Sequence, residues 1–470
     1  MIRNRFFRNV SYNTFQLITN QIFGLIIFYG LSRGLDKNLF GEINWVLAVL
    51  LAVFGLLTLG IDQVVVKKIA AGYNRQSIFS IYLFHVIVSG GIFYFILLAG
   101  YFFLPSTQFH REFLLFIGLG KLLLYISTPF KQLALGLEKF REFFFMSIVS
   151  NITRGLSIIV LLVFHKLTVF NILIVFVAGD LAELAFSALI GRPPLKGFFG
   201  TGWSKRRQIL IMKESLPQAG VVLFTSIMAR FDWIIVGLLI SATKLAEYSF
   251  AYKIFEVSSL PLLIVAPIMI PLFTRMTAQL KNMNDIFFFL EWQIIIASFV
   301  ALMLNICWIP VVDHISDGKY GSVNSNTIFL LSLSMPLIYF ANFMWTIQFA
   351  KGNMKTIFTI IGFSFVINLL GCLILIPIYK NEGAAAAYFI TILTQVILYL
   401  RKRTMILPNI KIFLLLFWPV TAFLAGYLAF VSFKHTGVRV FVTSIFFLSV
   451  ILISKQASFK NWKTLQSLYQ

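Results

Sequence analysis

The chain has 470 residues, 59% of them hydrophobic and 12% charged, whereas soluble domains carry roughly 25% charged residues. This composition excludes a soluble enzyme, a disordered chain and a nucleic-acid-binding domain, because a water-exposed fold of this size would leave more apolar surface uncovered than monomers tolerate. The net charge of +22 therefore needs another explanation, and the two cysteines, Cys307 and Cys372, both inside apolar runs, supply neither a disulfide framework nor a metal site.

Fourteen apolar segments follow one another, each near the ~20 residues that cross a bilayer as helix. They cover residues 9–33, 39–61, 77–103, 112–136, 141–164, 168–190, 214–240, 246–273, 286–311, 327–350, 356–378, 384–404, 410–432 and 437–455. Pro408 helps to separate the twelfth from the thirteenth. The fold class expected is an all-α polytopic membrane protein. The Arg-rich N-terminus looks like a signal-peptide leader, but its apolar run is too long and no small-residue cleavage site follows, so it reads as a retained first helix. The longest inter-span segment, 191–213, carries GRPPLKGFFG and then a basic run, and reads as a linker near mid-chain.

Loop charges give the orientation. With the N-terminus in the cytoplasm, 25 of the 39 basic residues fall in cytoplasmic segments, nine in outer segments and five within spans. This is a positive-inside bias, and it accounts for the net charge: the basic loops sit at the anionic cytoplasmic leaflet. Both termini are then cytoplasmic.

Polar residues are costly inside spans, so their spacing is informative. In span 1, Asn9, Asn13, Gln16 and Asn20 recur on one helix face, since each residue advances about 100°. Span 4 repeats the spacing with Lys121, Tyr125, Thr128 and Gln132; span 5 places Ser147, Asn151 and Arg154 on one face, and span 7 Gln218, Thr225 and Asp232. Span 8 carries Lys253 and Glu256 as an i,i+3 pair. Such stripes are either hydrogen-bonded seams between helices or the lining of a wet cavity. A dry seam seldom needs a Lys, whose burial costs about 2.5–3.5 kcal/mol. The intramembrane bases are Lys121, Lys131, Arg154, Arg230 and Lys253, with Lys131 expected to snorkel from a helix end. Asp180 and Glu183 of span 6 either neutralise Lys121 and Arg154 or leave them to an anionic substrate.

Weak internal repeats point to two lobes. A shift of 205 aligns FGEINWVLA (40–48) with LAEYSFAYK (245–253), and Asn13 and Asn20 with Gln218 and Thr225. A shift of 204 aligns AGDLAELAF (178–186) with EGAAAAYFI (382–390). The expected organisation is an N-lobe over 1–190, a cytoplasmic linker over 191–213, a C-lobe over 214–404, and spans 13–14 with a cytoplasmic tail over 405–470. The two six-helix lobes are expected to be pseudo-symmetric around a central cavity, with the last two spans appended. No catalytic constellation, metal-ligand spacing or P-loop appears, and no cofactor is expected.

The stretches SRGLDKNLFGEINWVLAV (32–49), GIDQVVVKKIA (60–70), RFDWIIVG (230–237), EYSFAYKI (247–254) and AKGNMKTIFTIIGFSFVINLLGCLILIPIYKNEGAAAAY (350–388) are carried in order along the fourteen spans. In these the sequence resembles the Wzx-type polysaccharide flippases, in the polysaccharide transport branch of the MOP exporter superfamily. The resemblance implies rocker-switch alternating access between two lobes, in the bacterial inner membrane. It implies an undecaprenyl-diphosphate-linked oligosaccharide as substrate, moved from the cytoplasmic to the outer leaflet, with membrane lipids and a proton or sodium ion as further partners and no nucleic acid. It also implies that spans 13 and 14 border a groove for the isoprenoid tail.

A pyrophosphate wants fixed cations and a glycan wants amides and hydroxyls. The candidate substrate-binding residues are therefore Lys121, Arg154, Asn13, Gln16, Asn20, Tyr125, Asn151, Arg230 and Lys253, with Asp180 and Glu183 as candidates for ion coupling. Two other classes stay open. A MATE-like cation or drug antiporter would carry an acid-dominated cavity. A polytopic glycan polymerase or glycosyltransferase would carry a large outer loop with acidic or Arg-rich motifs.

Overall fold

The computed structural model of the chain describes residues 2–103, 111–191, 204–262, 283–402 and 409–454. The Pro-Pro linker stretch from residue 192, span 8 beyond residue 262, the Pro408 divide and the tail beyond 454 lie outside the described residues.

Among the described residues every regular element is helical. In chain order these are α1 (Ile2–Gly34), α2 (Lys37–Leu57), α3 (Ile61–Ala70), α4 (Arg75–Phe103), α5 (Arg111–Gly136), α6 (Phe140–Val163), α7 (Val169–Gly191), α8 (Lys205–Met228), α9 (Phe231–Leu239) and α10 (Ala242–Ser258). They continue with α11 (Met283–Ile315), a 3-10 turn at Ser322–Asn324, α12 (Ser325–Ala350), α13 (Met354–Arg401), α14 (Asn409–Ser432) and α15 (Thr436–Ile453). Among the described residues ten helices are each long and apolar enough to cross a bilayer, and α8 with α9 makes an eleventh, bent by 44°. At 48 residues α13 would be about 72 Å long as one rod, over twice the hydrocarbon thickness. It is two spans, divided at Lys380 (φ 51, ψ −122), as the sequence pattern divides it.

Local sequence explains the ends. Asp36 caps α2 from an extended conformation, its carboxylate accepting the Leu39 N–H at 2.7 Å. Pro129, Pro310, Pro336, Pro377 and Pro419 lie inside helices, a placement membrane helices tolerate because neighbours re-satisfy the freed carbonyls. The polarity is inverted relative to a soluble protein. Phe95, Phe102, Phe164, Phe170 and Leu189 are exposed, while Arg154, Asp180 and Glu183 are buried.

Two features within the spans were not expected from the sequence. Span 2 stops at Leu57, and the chain turns through Leu59 and Gly60, both at positive φ, into the short helix α3. This helix is amphipathic: Ile61, Val65 and Ile69, at i, i+4 and i+8, are buried. Span 7, expected as one helix, bends where Arg230 (φ −148, ψ 20) leaves helical conformation and sets its guanidinium over the Trp233 ring at 4.6 Å.

The chain divides into two compact units, Met1–Ala246 and Glu247–Gln470. In the first, α7 packs on α5 and α6, α1 on α6, and α2 on α8 and α9. The α2–α9 contact is close: the Trp45 indole N–H donates to the Ile234 carbonyl at 3.3 Å, and Gly237 lies directly under that ring. In the second unit α12 packs on both α11 and α13, while α14 and α15 pack on α11. Trp418 of α14 is fully buried and meets Phe447 of α15 edge-on at 5.8 Å. The outward faces of both helices are apolar and exposed, with Phe430, Val431, Phe441 and Leu452 among them.

Candidate functional site

A cavity of about 400 Å³ lies within the first unit, lined from α1, α5, α6 and α7. Helix α1 contributes Gln16 and Asn20, and α5 contributes Lys121, Thr128, Lys131 and Gln132. From α6 come Ser147, Ser150, Asn151 and Arg154, and from α7 Glu183. The helical spacing of the sequence stripes therefore turns the polar faces of α1, α5 and α6 to one space.

The walls are tied together by polar contacts. Asn151 donates its amide to the Asn20 side chain at 3.0 Å, joining α6 to α1. Arg154 forms an ion pair with Asp180. Its guanidinium also donates to the Phe176 carbonyl at 3.3 Å and stacks 4.8 Å above the Phe176 ring. Ser150 donates its hydroxyl to Asp180 at 2.9 Å and its N–H to Glu183 at 3.3 Å. Lys131 pairs with Glu183 at 2.7 Å. The Arg154–Asp180 pair fits because two glycines leave room for it. A Cβ at position 120 would sit 2.8 Å from the Asp180 carboxylate, and one at position 179 only 2.6 Å from Arg154 Cγ.

This pairing corrects two expectations. Lys131 does not snorkel: its side chain is 14% exposed and is spent on Glu183. Nor do the two acids neutralise Lys121 and Arg154 together; they take Arg154 and Lys131. Lys121 lines the cavity, and its ammonium makes no hydrogen bond or ion pair with the described residues. Three cations thus face two carboxylates, and Lys121 carries the excess.

Gln16, Asn20, Lys121, Asn151 and Arg154 come together as the stripes imply, with Glu183 beside them and Asp180 beneath Arg154. Other candidates lie elsewhere. Tyr125 is buried at the edge of that face and is not among the lining residues; it donates to the Leu57 carbonyl at 2.9 Å beside Ser89. Asn13 is not among the lining residues. Arg230 occupies the α8–α9 bend, and Lys253 of α10, in the second unit, pairs with Glu256 at 2.9 Å. Sequence reasoning missed Ser150. Its i−4 spacing from Arg154 was visible, but a serine on a helix ordinarily bonds its own backbone, so the residue type gave no signal. No cluster of three His, Cys, Asp or Glu among the described residues could hold a metal.

An apolar exterior and a charged interior cavity walled by helices define a polytopic membrane protein with a polar internal site. The chain belongs to the polysaccharide biosynthesis protein family, whose family model matches residues 6–277. The fold is that of MOP-superfamily transporters. It is similar to the lipid II flippase MurJ in an inward closed conformation, with a TM-score of 0.72 and 14% identity over 96% of this chain and 99% of that one. An inward-facing multidrug resistance MATE family transporter gives 0.65 and 13% identity, covering 83% of this chain and 94% of that one. A MOP superfamily transporter from Pyrococcus furiosus gives 0.57 and 11% identity, covering 84% and 93%. A sequence comparison with curated proteins gives no match.

Proposed function

We propose that the protein is a flippase rather than an enzyme. It carries undecaprenyl-diphosphate-linked oligosaccharide repeat units from the cytoplasmic to the outer leaflet of the bacterial inner membrane. Residues 1–190 and 214–404 act as the two lobes of an alternating-access cycle, and both termini lie in the cytoplasm. The observation that carries this reading is the Lys121 ammonium, with no ion-pair partner among the described residues, in a cavity whose other polar lining is amides, hydroxyls and paired charges. A fixed excess cation suits a diphosphate, while Gln16, Asn20, Asn151 and Gln132 suit a glycan. The same excess disfavours a cation or drug antiporter, which needs the opposite sign.

Lys121 binds the diphosphate first in this scheme. Arg154 joins only when Asp180 lets go, which neutralisation of Asp180 by a proton would bring about. Asp180 and Glu183 are thus the coupling groups, and a proton the coupling ion favoured over sodium. The test is reconstitution of the purified protein in vesicles carrying lipid-linked oligosaccharide, read as flipping per folded molecule with and without a proton gradient. Wild type should flip and respond to the gradient. The double variant Asp180→Asn, Glu183→Gln should lose that response. A wild-type protein that moves no lipid-linked oligosaccharide would overturn the substrate, and flipping indifferent to the gradient would overturn the coupling.

A further inference from the structure

The second unit holds a larger cavity, of about 530 Å³, between α11, α12, α14 and the first turn of α15. Its wall is mostly apolar, with Leu302, Ile306, Phe329, Leu333 and Phe423. It is kept open by small residues on α14: Ala422 and Gly426 face it at i and i+4, and a Cβ on Gly426 would come within 2.9 Å of Leu302. Among the described residues one charged side chain lines it, Arg439, and no acid does. No Asp or Glu occurs after Glu382 in the sequence.

Arg439 is held in place. Its Nε donates to the Phe433 carbonyl at 2.7 Å and one terminal nitrogen to the Phe430 carbonyl at 3.4 Å, both at the C-terminal end of α14. The guanidinium lies 4.4 Å over the Phe430 ring. The other terminal nitrogen has no hydrogen bond among the described residues. Lys434 and His435 are exposed in the same turn. In the orientation proposed above this turn is at the outer surface. The cavity runs from there along the outer halves of α11 and α14 towards Ser298, near the middle of α11.

We propose that this cavity is a binding site for an anionic phospholipid of the outer leaflet, with one acyl chain inside and the phosphate on Arg439. Charge gives the headgroup, since a fixed arginine without a counter-acid, flanked by Lys434 and His435, selects an anion and can grip phosphate through its open edge. Shape gives the tail: the cavity is long, mostly apolar and walled by Leu302, Ile306, Phe329, Leu333 and Phe423, which suits one acyl chain. The undecaprenyl chain is the rival occupant that the test separates. Only the outward placement rests on the proposed orientation; the binding chemistry is independent of the transported substrate.

Native mass spectrometry of the full-length protein in detergent tests this. The lipids compared are phosphatidylglycerol, phosphatidylcholine of the same chains, and undecaprenyl phosphate. Wild type should bind phosphatidylglycerol about tenfold more tightly than phosphatidylcholine. Affinity should rise with chain length and level off near the length the cavity holds, a readout that needs no variant. Arg439→Gln should erase the headgroup preference and Arg439→Lys retain part of it. Ala422→Phe should weaken both phospholipids alike. Equal binding of the two phospholipids by wild type would overturn the proposal. So would an unchanged preference in Arg439→Gln. Displacement of phosphatidylglycerol by undecaprenyl phosphate, in wild type but not in Ala422→Phe, would reassign the cavity to the transported lipid.

Discussion

Lys121 and Arg154 look alike in the sequence, each a base on a polar helix face, yet they carry opposite energetic signs. Arg154 is one half of a buried ion pair, so Arg154→Ala leaves Asp180 charged with only the Ser150 hydroxyl on it, at a cost of about 3–5 kcal/mol. Lys121 has no such partner, and Lys121→Met removes a burial cost of about 2.5–3.5 kcal/mol. Thermal unfolding in detergent should therefore show Arg154→Ala less stable than wild type and Lys121→Met at least as stable. Adding Asp180→Ala should restore Arg154→Ala towards wild type. Flipping per folded molecule should fall steeply in Lys121→Met despite its intact fold. An unstable Lys121→Met would place its ammonium in a structural contact instead. The polar faces were readable beforehand, because one angle per residue fixes which side chains share a face. The pairing was not, because Lys131 or Lys121 reaches Glu183 depending on how α5 is rotated against α7, which tertiary packing sets.

Among the elements, the break between α2 and α3 joins a backbone requirement to a packing one. Gly60 sits at φ 68, and a Cβ there would fall 2.9 Å from Gln218 of α8. A left-handed conformation costs an ordinary residue about 1–2 kcal/mol, and the contact adds to it. Gly60→Val should lower the unfolding temperature clearly. Gly60→Asn should cost less, since asparagine tolerates this conformation, though it still meets Gln218. Equal stability of the valine variant would mean that α3 and α8 are not held together here. A second tie, Lys68 to Glu214 at 2.8 Å, joins the same helices. Helix existence was legible from hydropathy alone, which responds to the bilayer and little else. Breaks inside apolar runs were not: nothing in the hydropathy of 39–61 marks Leu57, and the charges at Arg230 and Asp232 mark a polar point in 214–240 without saying that the helix bends there.

For the whole molecule, the charge asymmetry of the loops makes a checkable forecast. In a variant lacking Cys307 and Cys372, a cysteine replacing Lys139, between α5 and α6, should react with a membrane-impermeant maleimide only after the cells are opened. One replacing Lys166, between α6 and α7, should react in intact cells. The reverse pattern would invert the orientation and turn both cavities around with it. The division of α13 at Lys380 bears on how such a chain is made. One residue outside helical conformation joins two spans, so hardly any polar loop exists there to be handed across the membrane. The two halves are best suited to leave the ribosome as a preformed hairpin and partition into lipid together. Lengthening that turn would uncouple them, giving the insertion machinery two independent decisions where the native chain presents one.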